Sequence, residues 1–527
     1  MSATPPVKKP GLERALGPFM ATAIVVGTVI GSGVFKKPAT VALNVPQFGL
    51  AAAVWVLGGA FATLGALAYA EVCVLYPRAG GNYVFLREAY GRLFGFLWGW
   101  VEFWIIRTAS LAALATIFTE SFHDVLTNAE FQRSVGIPTG SEMGFWWQKG
   151  LTVAVLLGLA GVNVIGVRWG GGLQFFITLV KVGSLLAIIV LPFAVLGLAP
   201  PDSTAVKPSA ANLTPVLPAS WGAVSVAGIS TAFLSVLWAY HGWMNIGPIA
   251  EEVSRPQRNL PLALLGGVGI LVALYLGANF AYYLVIPQPD LAALAPTTKT
   301  TSTEFGLLLL GPPGAAAASA ALMCSVFGAL NGNLLVGPRL LYAMGQDGLA
   351  PRALSVVHPR FKTPALAIIV MAVWASLLVT GVALLTQTGV LEAGKSHFDR
   401  LTDFAMFGAV IFETMAVVSI FVFRFRIPDA ERPYRCVGYP VVPAVYVLLP
   451  SFVLVNMFLS PRERIEALVG VGFIALGVVV YYALGLSRTG PAEVPPVSPP
   501  DREPPLFVPS ASDGVRTAEQ EVEKLTR

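Results

Sequence analysis

The stretch that decides the fold is residues 25–35, Val-Val-Gly-Thr-Val-Ile-Gly-Ser-Gly-Val-Phe, where Gly31-Ser32-Gly33 interrupts the first long apolar segment. Bilayer hydrocarbon contains no water to hydrogen bond with freed backbone groups, so a helix is expected to break there only where the break lines a protein cavity. Glycine supplies the conformational freedom for the break. The exposed N-terminus of the following half-helix attracts an anion, so the triplet predicts a carboxylate-binding site inside a membrane.

The composition around this stretch is that of a polytopic membrane protein. The chain has 527 residues, of which 55% are hydrophobic and 12% are charged, and its mean hydropathy is +0.71. A soluble domain of this length would be far more polar. The near-continuous apolar stretches predict about twelve spans, numbered here in chain order: 17–43, 48–76, 93–120, 150–168, 171–197, 222–250, 262–286, 313–345, 364–387, 401–425, 440–460 and 466–486.

The loops between these spans predict the orientation. Alternate loops carry 16 basic residues on one side and 8 on the other, which places both termini in the cytoplasm by the positive-inside rule. The net charge of +5 follows from this bias, so we infer no nucleic-acid partner. Segment 1–16 has no cleavable signal, and a multi-pass protein of the plasma (inner) membrane is expected. Cys73, Cys324 and Cys436 imply no disulfide framework, since none lies in an external loop.

A second break is predicted in span 6, where residues 240–243 read Tyr-His-Gly-Trp and Pro248 follows. Pro248 removes the hydrogen bond to the carbonyl of Met244, and Gly242 loosens the preceding turn. Two interrupted spans, five apart, predict an inverted repeat with a binding site at the midplane. The dipole in span 1 suits an anion and unwound carbonyls in span 6 suit a cation, so a zwitterion such as an α-amino acid satisfies both. Gly and Pro are common in membrane helices, so breaks that serve packing are the alternative.

Four runs of sequence resemble the amino acid–polyamine–organocation (APC) superfamily, and within it the L-type amino acid transporters. They are GTVIGSGVF at 27–35, YPRAGGNY at 76–83, LWAYHGW with EEVSRPQRNLP at 237–261, and RLLYAMGQDG at 339–348. The resemblance covers most of residues 15–425. It implies an all-α integral membrane protein with a LeuT-type fold, in which five plus five inverted spans occupy 17–425 and two further helices occupy 426–486. The proline-rich residues 487–527 are expected to be a disordered cytoplasmic tail.

The same resemblance implies where the substrate binds. Backbone amides of Gly31-Ser32-Gly33 would hold its carboxylate, carbonyls of span 6 would take its ammonium group, and span 8 would help line the side-chain pocket. His241 would face the substrate side chain, where a polar ring of some bulk favours neutral or small polar amino acids and, if charged, repels Lys and Arg. The full set implied is Val29, Gly31, Ser32, Gly33, Trp238, Ala239, His241, Phe327 and Asn331.

Lys181 is a charge placed deep within a predicted span. It lies about ten residues into span 5, hence roughly 15 Å deep at about 1.5 Å per residue, too deep to reach the interface easily. The resemblance places this lysine against the unwound part of span 1, where its charge would stand in for the second sodium ion of sodium-coupled relatives. Transport would then not need sodium. A purely structural lysine paired with a glutamate is the alternative.

Other charges in or near the spans are candidates for gating or coupling: Glu71, Glu102, Arg107, Glu251, Glu252, Arg339 and Glu413. Glu102 and Arg107 are expected to neutralise each other or to pair with neighbours. Glu413, midway along span 10, is the spare candidate for a proton site. The carboxylates near the predicted cytoplasmic ends, Asp347 among them, could form an inner gate with Arg78, Arg255 and Arg339. Ordinary interfacial charges are the alternative.

These features predict a sodium-independent secondary transporter of amino acids that works by alternating access as an exchanger or uniporter. A proton-coupled symporter and a transporter-like amino acid sensor are the alternatives. An enzyme is disfavoured, because the four histidines are not clustered and no metal-ligand or nucleophile constellation occurs, and no cofactor is expected. The expected partners are an amino acid substrate and membrane lipid. The cysteine by which animal L-type carriers pair with a heavy subunit is missing, so no such subunit is expected.

Overall fold

The computed structural model describes residues 14–127, 131–133, 136–198, 206–221, 224–297, 299–388, 397–460 and 464–487. Apolar spans become helices because only a helix satisfies every backbone group within one segment in hydrocarbon. The helices of the spans, in chain order, are Pro18–Val29 with Gly33–Asn44, Phe48–Leu75, Arg92–Val101 with Thr108–Thr127, Phe145–Ile165, Val167–Leu198, Val226–Tyr240, Pro256–Val285, Thr301–Val336 with Pro338–Gln346, Ala365–Gln387, His397–Arg426, Val441–Tyr446 with Leu448–Leu459, and Arg464–Ala483.

Within the described ranges, ten helical segments are long and apolar enough to cross a membrane. The two other predicted spans are span 6, whose helix has only 15 residues before it breaks, and the 20-residue helix of span 12. The described part of the chain has no β-strand beyond an isolated bridge between Leu16 and Val253. The prediction of an all-α membrane protein is confirmed. The predicted tail lies outside the described residues, apart from Ser487.

Span 8 begins where the sequence predicts it, directly after Gly311, whose non-helical φ of 69° separates two helical segments. The first segment begins at Thr301, where the side chain of Thr300 accepts a hydrogen bond from the Thr303 amide and caps the first turn. The chain doubles back at Gly311, since the hydroxyls of Thr303 and Ser319 lie 3.1 Å apart although sixteen residues separate them. The segment before span 8 also contains a short helix at Gln288–Ala293.

Span 1 lies at the centre of the bundle, where it packs against spans 5, 6, 7 and 8. Its first helix is buried along most of its length, and Ile24 and Val25 are wholly inaccessible. Leu16, just before this helix, exchanges backbone hydrogen bonds with Glu252 and Ser254, which follow the break in span 6. We call this end of the bundle the N-side. Burial of span 1 on all sides means that its break cannot face lipid.

Candidate functional site

The first break lies where the sequence predicts it. The first helix of span 1 ends at Val29, Ile30 has non-helical angles (φ −68°, ψ 86°), and a second helix begins at Gly33. The Gly31 amide donates to the carbonyl of Val29 at 2.7 Å, a tighter turn than an α-helix allows. Carbonyls at the break therefore lose their helical donors and need others.

The second break lies in span 6. The helix Val226–Tyr240 ends at His241, which is extended (φ −60°, ψ 143°). Gly242 then has a left-handed φ of 106°, which disfavours any residue with a Cβ, and a 3₁₀ helix continues from Trp243 to Glu252. The Gly242 carbonyl lies 3.4 Å from the hydroxyl of Thr28, so a direct contact joins the two breaks.

A close backbone approach holds the two broken spans together. A Cβ built on Gly33 would lie 2.5 Å from the Cα of Ala239, closer than real carbon atoms come. Only glycine permits this contact. A small cavity of about 30 Å³ lies between the breaks. Its lining consists of Thr28, Val29, Gly31, Ser32, Gly33, Ser110, Leu114, Trp238, His241, Gly242, Asn245, Ala329 and Asn333.

Three of the nine predicted substrate residues lie outside this cavity. Ala239 is buried behind it against Gly33. The ring of Phe327 packs on that of Phe118 at 5.7 Å between centroids. The Asn331 amide accepts from Asn163 at 2.9 Å and donates to a glutamine of span 5.

Span 8 presents a different face to the cavity from the one predicted. Its lining residues are Ala329 and Asn333, each two positions after a predicted one. Two residues along an α-helix turn the side chain through about 200°, so the predicted pair faces away. Sequence reasoning also missed Thr28, Ser110 and Asn245, although polar residues in apolar spans were an available signal.

Lys181 is bound to the break in span 1. Its ammonium group donates to the carbonyls of Gly27 and Ile30 at 2.6 and 2.7 Å, and its side chain is buried. The hydroxyl of Ser325 lies 3.1 Å from the carbonyls of Ile30 and Gly31. None of the ion pairs between described residues involves Lys181, so the alternative of a glutamate-paired lysine has no support among them. Lys181 thus supplies donors that the broken helix lacks.

His241 and Glu413 form a pair at the edge of the cavity. The Nε2 atom of His241 lies 2.9 Å from Oε1 of Glu413 in span 10. The imidazole lies parallel to the indole of Trp238, with 6.0 Å between ring centroids and 6° between ring planes. The Glu413 carboxylate thus holds the edge of the His241 ring, and the Trp238 indole packs against its face.

Glu102 and Arg107 form an ion pair. Residues five apart diverge by about 140° in an α-helix, but Glu102–Arg107 is a π-helix, whose wider turn brings them to one face. The Arg107 guanidinium lies 2.5 Å from the Glu102 carboxylate and also donates to the side-chain oxygens of Asn245 and Asn333. Since both asparagines line the cavity, Arg107 supports its wall from behind.

The sequence of residues 16–484 matches the family described as amino acid permease. The chain belongs to this family. Its curated relatives include the serine/threonine exchanger SteT of Bacillus subtilis (strain 168), 30% identical over 485 residues that cover 90% of this chain and 97% of the relative. The human b(0,+)-type amino acid transporter 1 is 30% identical over 475 residues, covering 90% and 88%. The human cystine/glutamate transporter is 28% identical over 482 residues, covering 91% and 86%.

The match confirms the resemblance to the APC superfamily and its L-type members. The relatives are transporters and not enzymes. This permease is therefore a multi-pass membrane transporter.

Buried polar contacts join several elements at the N-side of the permease. Arg339, which is fully buried, lies 3.0 Å from the Glu252 carboxylate. Glu251 accepts a hydrogen bond from the backbone amide of Ala79 at 3.1 Å. Glu71 lies 2.8 Å from the guanidinium of Arg424 and accepts a hydrogen bond from the Cys436 amide at 2.7 Å, so its contacts are with the end of span 10 and the segment after it.

Asp347 contacts the short helix Asn82–Tyr90, which lies between spans 2 and 3. Its carboxylate accepts from the Tyr83 hydroxyl at 2.5 Å and pairs with Arg87. Burial and the neighbouring Asp347 raise the pKa of Tyr83 well above its ordinary value, so the hydroxyl stays protonated and donates. Asp347 thus has partners that the predicted gate did not include.

Proposed function

We propose that this permease carries neutral and small polar α-amino acids across the plasma (inner) membrane by sodium-independent exchange or uniport. The observation that carries the proposal is the cavity between the two helix breaks. Gly31, Ser32 and Gly33 line it on one side, and Trp238 and His241, at the end of the span 6 helix, line it on the other. A zwitterion matches this arrangement, with its carboxylate at the half-helix that begins at Gly33 and its ammonium group at the span 6 carbonyls.

Sodium independence is proposed from Lys181. A cation that bound the carbonyls of Gly27 and Ile30 would compete with the ammonium group that already donates to them. The lysine therefore takes the place that a sodium ion would occupy at these carbonyls. A gradient of sodium would then have no site at which to act.

Alternating access is proposed to proceed by movement of spans 1 and 6 against the remaining spans. In this proposal spans 1–10 form an inverted repeat over 17–425. The two helices of 426–486 pack outside that repeat. The N-side contacts of Glu252 with Arg339 would form part of the gate, and the N-side would face the cytoplasm with both termini. We propose that the permease works without a heavy subunit.

Proton-coupled symport is the second candidate, favoured by one observation. His241 and Glu413 form a titratable pair within hydrogen-bonding distance at the wall of the cavity. A proton taken up there with substrate would couple transport to a pH gradient. The two candidates differ in whether internal amino acid or external protons drive uptake.

Counterflow in proteoliposomes tests both. Vesicles loaded with serine are expected to accumulate labelled serine or threonine equally with and without sodium, because Lys181 occupies the break. Excess alanine, serine or glutamine is expected to compete, and excess arginine or lysine is expected to compete poorly. Absence of counterflow for every amino acid would refute the proposed function. Uptake that required a pH gradient, with no stimulation by internal amino acid, would favour the symporter instead.

A further inference from the structure

The orientation of the His241 ring has a consequence for substrate choice. Its Nε2 atom faces Glu413 at 2.9 Å, and its flat face lies against Trp238. Among the described residues no hydrogen bond reaches its other nitrogen, Nδ1, although His241 lines the cavity. The ring therefore has one nitrogen engaged by the protein and one left for a ligand.

Glu413 is placed to orient this ring rather than to meet the substrate itself. It is not among the residues that line the cavity between the breaks. Instead it borders two neighbouring cavities, one shared with Glu102 and Arg107 and the other with Tyr446 and Thr414. The Glu102 carboxylate is already paired with Arg107, so His241 is the partner that the structure shows for Glu413.

The chemistry of the free nitrogen defines the ligand group that fits. With Nε2–H donated to an ionised carboxylate, a neutral ring offers Nδ1 as an acceptor, and a protonated ring offers Nδ1–H as a donor. A hydroxyl both donates and accepts, so it pairs with Nδ1 in either state. An aliphatic side chain can neither donate to Nδ1 nor accept from it, so the desolvated nitrogen is left without a hydrogen-bond partner. A cationic side chain can only donate, so it pairs with Nδ1 only while the ring is neutral.

We infer that Glu413 is a positioning residue, which holds the His241 ring so that Nδ1 selects amino acids with a short hydroxyl side chain over their aliphatic isosteres. The inference rests on the proposed function, since it concerns the side-chain end of the same site. Threonine and valine are the decisive pair, because they have nearly the same shape and differ in the hydroxyl.

The test measures KM and maximal rate for threonine and valine in counterflow with the full-length protein. The unmodified permease is expected to prefer threonine by about tenfold, the ratio that one net hydrogen bond provides. In Glu413→Leu the ring loses its hydrogen-bonded anchor, so this ratio is expected to fall towards one through a higher KM for threonine. In Glu413→Gln the side-chain oxygen can still accept from Nε2–H, so the ratio is expected to stay within about threefold of the unmodified value.

Thr414→Val is the matched control on the same helix. The Thr414 hydroxyl donates to the carbonyl of Val410 at 2.6 Å, so its loss leaves His241 untouched and the ratio unchanged. A threonine preference that survives Glu413→Leu overturns the inference, as does an unmodified protein that treats both substrates alike. If Glu413→Leu does not fold, loss of the threonine preference over valine in a folded Glu413→Gln variant also overturns the inference. No counterflow of any amino acid would instead refute the proposed function.

Discussion

Lys181 shows how one side chain can complete a broken helix. At the break, the carbonyls of Gly27 and Ile30 have an ammonium group as donor, at 2.6 and 2.7 Å, in a position without water from bulk solvent. A buried acceptor that loses its donor costs roughly 1–3 kcal/mol. The lysine therefore stabilises the geometry on which the cavity depends, in addition to any role as a cation.

Lys181→Met is expected to reduce transport at least about tenfold, because two carbonyls lose their donor and the break can rearrange. Uptake in proteoliposomes measures the loss, and the apparent Tm in detergent shows whether the fold persists. Ser184→Ala is the control, since the Ser184 hydroxyl donates only to the Lys181 carbonyl of its own helix. Unimpaired transport by Lys181→Met would contradict a role for the ammonium group at the break.

Among the elements, the contact between the two broken helices makes the strictest steric demand. Gly33 lies against the backbone of Ala239, and backbone cannot move aside as a side-chain tip can. Gly31, two residues earlier, has room: its nearest neighbour for a Cβ is a Leu114 methyl group at 3.4 Å. The two glycines of one motif therefore have different reasons to be glycine.

Gly33→Ala is expected to abolish transport or to lower it by more than tenfold, because the added methyl group separates spans 1 and 6. Gly31→Ala is the matched variant and is expected to retain measurable transport, since its backbone amide remains and the methyl group fits. Initial rates of serine counterflow, normalised to protein in the vesicles, provide the comparison. The steric argument fails if Gly31→Ala is the more damaging of the two.

The π-helix in span 3 is a second example at this scale. Its wide turn brings Glu102 and Arg107 to the same face, and from there Arg107 reaches Asn245 in span 6 and Asn333 in span 8. Sequence spacing of five residues predicts opposite faces for an α-helix. A local departure from α-helical geometry thus connects three spans behind the cavity.

At the scale of the whole molecule, a buried ion pair joins two spans at the N-side. Arg339 is fully buried and the Glu252 side chain is 2% exposed, so neither charge has solvent to compensate for a lost partner. Leu16 lies beside this pair, bonded through its amide to the Glu252 carbonyl. The pair therefore ties the segment after the second break to the end of span 8.

Arg339→Met is expected to destabilise the protein by about 3–5 kcal/mol, because it leaves the Glu252 carboxylate buried without a partner. The double variant Glu252→Leu/Arg339→Met is expected to recover much of the loss, since no uncompensated charge remains. The apparent Tm in detergent, at one pH and protein concentration, measures both. A double variant as unstable as the single one would show that the pair contributes more than mutual neutralisation.

Much of the architecture was predictable from the sequence because the bilayer imposes it. Helices need about 20 apolar residues to cross, backbone breaks need a protein cavity, and Gly and Pro mark the breaks. The interruptions at Gly31-Ser32-Gly33 and at Gly242, the start of span 8 after Gly311, and the family therefore followed from one-dimensional patterns. The count of twelve spans did not follow in full, because ten helical segments in the described ranges are long and apolar enough to cross a membrane.

The tertiary structure alone decided which side chains meet. Contacts such as His241 with Glu413 and Glu252 with Arg339 join residues more than eighty positions apart, and no local pattern encodes a partner at that distance. The face of span 8 that meets the cavity depends on the rotation of the helix, which packing sets. The sequence by itself determined that two broken helices exist and what charges they attract. The fold decided how closely they approach and which nitrogen of the His241 ring is engaged by Glu413.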